Sequence, residues 1–123
     1  MLRRGSPPYL ECSTKGDTRF SPFFARLKGD KLSIEDYYQG AKIFENGDTG
    51  LNWREAKGRK CINPEYVKEL YTWLWEEYIR ENPELHSVLT ESTGLSDIFG
   101  QEGGTCQADT LWKIREKLIN GTF

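Results

Sequence analysis

One short stretch of the sequence carries four groups capable of chemistry at helical spacing, namely Glu35, Tyr38, Gln39 and Lys42. In a helix, separations of three, four and seven residues place these groups on one face. A carboxylate there can stabilise an oxocarbenium-like sugar or accept the proton of an attacking water. The lysine can bind a phosphate, the amide can orient a ligand, and the phenol can stack or donate. The alternative is a solvated face of ordinary surface charges.

Further candidate groups lie outside this stretch. Arg19 can bind a diphosphate through two parallel hydrogen bonds, although a solvated arginine is the alternative. If the chain between Trp53 and Lys57 is helical, the indole can cover a base and the ammonium can bind a phosphate; the alternative for Trp53 is ordinary core. Asp97 precedes a glycine-rich segment that begins at Gly100, where the backbone can approach a ligand closely.

Several familiar kinds of site are absent from the sequence. The glycines after residue 99 match neither the phosphate-binding pattern G-x-x-x-x-G-K-[ST] nor the dinucleotide-binding pattern G-x-G-x-x-G. The three cysteines are widely separated and the chain has one histidine, His86, which argues against a structural zinc site and a cysteine–histidine nucleophile. We therefore expect no metal, no cofactor, and a packed thiol at Cys106.

Length, composition and charge restrict the class of protein. The chain of 123 residues has the length of one domain, and its 37% hydrophobic and 13% aromatic residues can form a core. A formal net charge of -2 argues against nonspecific nucleic-acid binding through counterion release. The sequence offers neither a signal peptide nor an apolar run of membrane-spanning length. Together with the odd cysteine count, these features predict a cytoplasmic protein.

Local sequence patterns predict a small, mostly helical α+β domain with a few short strands. Ser33 and Asp36 form a capping box, and the two Asn-Pro-Glu sequences that start at residues 63 and 82 are typical of helix N-termini. Residues 1–18 are predicted to form a loose N-terminal segment before a domain over 19–123. The predicted helices span 34–44, 64–81, 83–91 and 106–119, and the predicted strands lie within 9–12 and 19–32.

Three stretches, taken in chain order over residues 19–118, are similar to signatures of the NADAR family, named for its association with NAD and ADP-ribose chemistry. Residues 20–24 (F-S-P-F-F) resemble the family's F-S-N-F-Y loop. Residues 33–44 (S-I-E-D-Y-Y-Q-G-A-K-I-F) resemble its S-V-E-H-Y-Y-Q-A-x-K-F helix. The third stretch runs from Trp53 and Lys57 through N-P-E-L at 82–85 and D-I-F-G at 97–100 to I-R-E-K-L at 114–118.

The resemblance implies a NADAR-like fold and an N-glycosidase that hydrolyses a ribosyl–nitrogen bond in an ADP-ribosylated or phosphoribosylated base compound, without metal or cofactor. Its expected partners are a nucleotide-like or ADP-ribose-like small molecule and, as a further candidate, ADP-ribosylated nucleic acid; no membrane is expected, and the oligomeric state stays open. Carried onto this sequence, the catalytic residues are Glu35 and Asp97, and the ligand-binding residues are Arg19, Phe20, Ser21, Tyr38, Gln39, Lys42, Trp53, Lys57 and Gly100.

Ile43 is inserted before the Phe that ends the helix pattern, and three further departures from the family fall at the expected pocket. Asp36 stands where the family commonly has His, the D-I-F-G segment lacks the family's Trp, and residues 103–108 replace its G-x-N-x-L-G turn. These departures motivate a second hypothesis, a noncatalytic module that keeps the pocket and sequesters a nucleotide-derived signal. A third hypothesis is an interaction protein that binds through exposed aromatic side chains.

Overall fold

The capping box predicted at Ser33 and Asp36 starts the first α-helix of the structure, whereas the Asn63 and Asn82 side chains do not cap the helices that follow them. In the computed structural model, which describes residues 1–123, the Ser33 hydroxyl accepts from the Asp36 N–H at 3.1 Å, and the Asp36 carboxylate accepts from the Ser33 N–H at 3.1 Å. This capping box satisfies two amides that a helix start leaves free. The helices are α1 (Ile34–Gly40), α2 (Trp53–Ala56), α3 (Pro64–Glu81), α4 (Glu84–Glu91) and α5 (Gln107–Asn120).

Helix α1 is shorter than the predicted 34–44, and Asn63 accounts for its early end. The Asn63 amide donates to the Ala41 carbonyl at 3.0 Å and accepts from the Ile43 N–H at 2.9 Å. Ile43 also forms an isolated antiparallel bridge with Thr49. These contacts use backbone groups that a continuing helix would need, so the chain leaves the helix after Gly40.

A three-stranded sheet holds the N-terminal segment to the rest of the domain. Strand β1 (Leu2–Gly5), strand β2 (Tyr9–Glu11) and strand β3 (Gly94–Asp97) lie in the order β1-β3-β2, with β3 antiparallel to β1 and parallel to β2. The register pairs Leu2 with Asp97 and Leu10 with Leu95. The α+β class predicted from the sequence is therefore confirmed.

Two of the local predictions are wrong. The segment 1–18 is not loose, because it supplies two of the three strands and buries Leu2 and Cys12 in the core. The segment 19–32 contains no strand; a short 3-10 helix (Thr18–Phe20) is followed by turns in which the Ser21 carbonyl accepts from the N–H groups of Phe24 and Ala25. The helical turn directs Phe20 into the core, where its side chain is fully buried.

The core lies between helix α3 and helices α4 and α5, with β3 against it. Trp75 of α3 is fully buried, and its ring meets Tyr71 and Tyr78 edge-on at centroid distances of 6.4 and 5.5 Å. Leu89 from α4 and Leu111 from α5 complete the same cluster. None of the helices combines the length and apolarity that a membrane crossing requires. Helices α3, α4 and α5 each bury one apolar face in this core. Helix α1 borders a cavity.

Candidate functional site

A polar cavity of about 260 Å³ opens beside α1 and is the setting for most of the predicted site residues. One wall, called the α1 wall here, consists of Glu35, Tyr38 and Gln39 on helix α1 and of Lys42 just after the helix. Helical spacing brings Glu35, Tyr38 and Gln39 to one concavity, as predicted, whereas Lys42 reaches it from the chain after the helix. The rest of the lining comes from residues 13–14, 21–23, 57, 71, 97, 99, 105 and 107.

Glu35 and Gln39 form a hydrogen-bonded pair on the cavity wall. The Gln39 amide nitrogen donates to the Glu35 carboxylate at 2.8 Å, whereas the Gln39 side-chain oxygen is buried and has no hydrogen-bond donor. Burial raises the pKa of Glu35, and the Gln39 hydrogen bond together with the charges of Lys42 and Lys57 partly opposes this rise. A carboxyl group with a raised pKa at a cavity is a candidate for proton transfer.

Lys42 is a buried cation without an ion-pair partner. Its side chain is 8% exposed, and no carboxylate lies within the 4.0 Å that defines a salt bridge. Its ammonium nitrogen lies 5.0 Å from the centroid of the Tyr38 ring. Buried charges are normally paired, so an ammonium that opens onto a cavity is suited to an anionic ligand. Lys57 adds a second, exposed cation at the cavity rim.

Asp97 is a buried carboxylate on the wall formed by the end of β3. Its side chain accepts from the Phe99 N–H at 3.0 Å through one oxygen and from the Cys106 thiol at 3.4 Å through the other. The residue is 5% exposed, and it also forms no salt bridge. Asp97 therefore has a fixed orientation at the cavity, held by a neutral thiol and a backbone amide.

Four of the residues predicted to bind ligand do not line the cavity. Arg19 is turned to solvent and donates to both carboxylate oxygens of Asp17, at 2.9 and 2.7 Å. Phe20 is core, as described above. Trp53 lies one layer behind the wall, where its ring packs edge-on against Phe23 at 5.2 Å. Gly100 is buried behind Asp97, and a Cβ atom there would lie 2.9 Å from the Cys106 sulfur.

Sequence reasoning missed much of the wall opposite α1. Ser13 and Thr14 follow β2, Thr105 precedes α5, and Gln107 is the first residue of α5. Because β2 and β3 are parallel, the residues after β2 lie at the same sheet edge as Asp97 at the end of β3. Knowing this pairing in advance would have indicated Ser13 and Thr14 as site residues.

Position 36, where the sequence departs from the family, faces away from the cavity. The Asp36 carboxylate accepts from both the N–H and the hydroxyl of Ser33, at 3.1 and 3.0 Å, and it does not line the cavity. The departure at this position is therefore a helix cap. The other two departures do border the cavity, through Phe99, Thr105 and Gln107.

Comparison of the chain with known protein families and with curated proteins finds no match.

Proposed function

We propose that this chain is an N-glycosidase that hydrolyses a ribosyl–nitrogen bond in a phosphoribosylated or ADP-ribosylated base compound. The observation that carries the proposal is the α1 wall, on which a half-buried carboxyl with a raised pKa and a buried, unpaired lysine open onto one cavity. This combination suits a substrate that is anionic at one end and develops positive charge at another. The resemblance to the NADAR family supports the same reaction class.

Glu35 is the catalytic group in this proposal. As the bond between the anomeric carbon and the base nitrogen breaks, positive charge develops on the ribosyl ring, and an ionised Glu35 stabilises it. The same carboxylate accepts a proton from the water whose oxygen bonds to the anomeric carbon and then releases it to solvent, while the departing nitrogen takes up a proton from solvent water. The products are the free base and a sugar with an anomeric hydroxyl.

The remaining α1 groups orient the substrate. Lys42 binds a phosphate inside the cavity. Lys57 binds a second phosphate at the rim, where the substrate extends out of the cavity. Gln39 holds the Glu35 carboxylate in position through its amide nitrogen. A volume of about 260 Å³ is slightly below the range of about 300 to 1,000 Å³ for pockets that enclose whole drug-sized ligands. The sugar and one phosphate are therefore the enclosed part, and the remainder of the substrate projects past the rim.

The proposal is tested with ADP-ribosylated guanosine, phosphoribosylated pyrimidines, NAD and ADP-ribose, with products identified by mass spectrometry. Glu35→Gln keeps the size of the side chain and removes its charge, so turnover should fall by about 10² to 10⁴ while affinity changes far less. Glu45→Gln, at an exposed position outside the cavity, is the matched control. Equal turnover by the wild type and Glu35→Gln would reject Glu35 as the catalytic group.

A noncatalytic binding module is the second candidate, because the buried Lys42 ammonium would retain an anion without any chemistry. The two candidates predict different behaviour from the same compounds. Under the binding alternative, the wild type binds a phosphorylated ribosyl compound and returns it intact, and Lys42→Ala abolishes binding.

A cytoplasmic location belongs to the same proposal. Cys12, Cys61 and Cys106 are all free, and free thiols persist in a reducing compartment. Localisation of a tagged chain by cell fractionation tests this part.

A further inference from the structure

We propose that Asp97 binds the vicinal hydroxyls of the ribose, that the Cys106 thiol positions it for this task, and that the site therefore selects ribosyl over 2-deoxyribosyl compounds. The inference rests on the proposed function and gives Asp97 a binding role instead of the role of a second catalytic acid.

The hydrogen bonds of Asp97 leave its carboxylate with free acceptor capacity at the cavity. An ionised carboxylate has about four lone-pair sites, and the Phe99 N–H and the Cys106 thiol occupy one on each oxygen. No lysine or arginine takes the rest, because Asp97 forms no salt bridge. One free site on each oxygen matches two adjacent hydroxyl donors, which is how carboxylates commonly bind a ribose diol.

Cys106 is suited to hold Asp97 because it stays a donor. Burial raises the pKa of the Cys106 thiol to about 11, so the sulfur keeps its proton at neutral pH. Gly100 packs closely against this contact: a Cβ atom at residue 100 would lie 2.9 Å from the Cys106 sulfur and 3.2 Å from the Asp97 carboxylate. Cys106 is thus a positioning residue and does not act as a nucleophile.

The arrangement of charge in the cavity gives the two ends of a sugar phosphate different partners. The buried cation Lys42 belongs to the α1 wall, whereas Asp97 belongs to the sheet edge, where Ser13 and Gln107 are also buried and polar. A phosphate therefore finds a donor just after α1, at Lys42, and hydroxyls find an acceptor at the end of β3. A 2-deoxy sugar leaves one buried carboxylate site without a donor, and sites built for a hydroxyl reject analogues that lack it.

The test is to titrate the protein with D-ribose 5-phosphate and, separately, with 2-deoxy-D-ribose 5-phosphate. Calorimetry or protein NMR shifts monitor the binding. The wild type should prefer the ribose compound by about 10- to 100-fold, the range for a hydrogen bond to a charged group. In Asp97→Asn, this preference should fall to within about threefold, whereas affinity for inorganic phosphate should stay near the wild-type value. Asp48→Asn, at an exposed position, is the control.

The ratio of the affinities for ribose 5-phosphate and 2-deoxyribose 5-phosphate also tests the role of Cys106. Cys106→Ala should lower the preference for ribose, and Cys106→Ser, which restores a donor, should recover most of it; Cys61→Ala is the matched control. Because the wild-type ratio needs no variant, the inference stays testable even if a substitution impairs folding. Equal affinity of the wild type for the two sugars, or failure to bind either, would overturn it.

The outcomes separate this inference from the proposed reaction. Selective binding of ribose 5-phosphate without turnover of any ribosyl–nitrogen compound rejects the N-glycosidase and retains the Asp97 assignment. Turnover of ribosyl and 2-deoxyribosyl compounds with equal kcat/KM retains the N-glycosidase and rejects the assignment.

Discussion

Lys42→Met should stabilise the domain and weaken anion binding at the same time. Lys42 is 8% exposed and no carboxylate lies within salt-bridge distance, so the folded state carries the cost of an unpaired charge in a largely buried position. Methionine keeps an unbranched chain of similar volume and removes the charge. Improved stability with impaired function is the pattern expected of a residue retained for its ligand.

The expected changes in stability and in phosphate affinity of Lys42→Met have different causes. Relief of the unpaired charge should add about 1 to 2 kcal/mol to the free energy of unfolding, part of the possible gain being offset by the lost attraction to Glu35. For a domain of this size, each kcal/mol corresponds to a Tm increase of about 4 °C. Loss of a charge-assisted contact to a phosphate should weaken binding by about 10- to 100-fold.

Thermal unfolding without ligand and calorimetric titration with ribose 5-phosphate measure the two effects. Lys57→Met is the matched control: this rim lysine is exposed, so its loss should change stability by less than about 0.5 kcal/mol and affinity by less than the Lys42 change. A Lys42→Met protein that is less stable than the wild type and binds the sugar phosphate equally well would refute the reasoning.

Three further predictions concern Glu35, Gly100 and Phe20. Because burial raises the pKa of Glu35 above its ordinary value of 4.5, the wild type loses stability as pH rises from that value to the folded-state pKa. The Tm of Glu35→Gln relative to the wild type should therefore be higher at neutral pH than at about pH 4, and a pH-independent difference would contradict this. Gly100→Ala should cost about 1 to 3 kcal/mol through its clash with Cys106 and Leu2, whereas Gly40→Ala, with its nearest atom at 3.8 Å, should not destabilise; equal denaturant midpoints would argue against the packing described. Phe20→Ala should cost about 3 to 5 kcal/mol in chemical denaturation, and a cost typical of a surface site would restore Phe20 as a ligand contact.

The helices were predictable because their signals are local. The Ser33 cap and the proline at residue 64 act within one helical turn, and α3 spans the residues expected from its apolar spacing. The early end of α1 was not predictable, because the group that ends it, the Asn63 side chain, lies some twenty residues further along the chain.

Strand β2 falls within the predicted strand at 9–12, but β1, β3 and the order of the sheet were missed because the pairing is nonlocal and the strands are short. Leu2 pairs with Asp97, and a strand of four residues offers too little alternation to be distinguished from a turn. The candidate site also has a part that local sequence patterns predict and a part that depends on nonlocal pairing. The α1 face follows from helical spacing, whereas the opposite wall exists only because β2 lies parallel to β3 and carries Ser13 and Thr14 to the edge beside Asp97.

The most direct test of the central claim is product analysis after incubation of the wild-type chain with a phosphorylated ribosyl–nitrogen compound in water enriched in heavy oxygen. Hydrolysis at the anomeric carbon predicts a free, unlabelled base and a ribose phosphate that carries one heavy oxygen at that carbon, with formation of both reduced in Glu35→Gln. Recovery of the intact compound after binding to the wild type, or a heavy oxygen in the released base, would contradict the account.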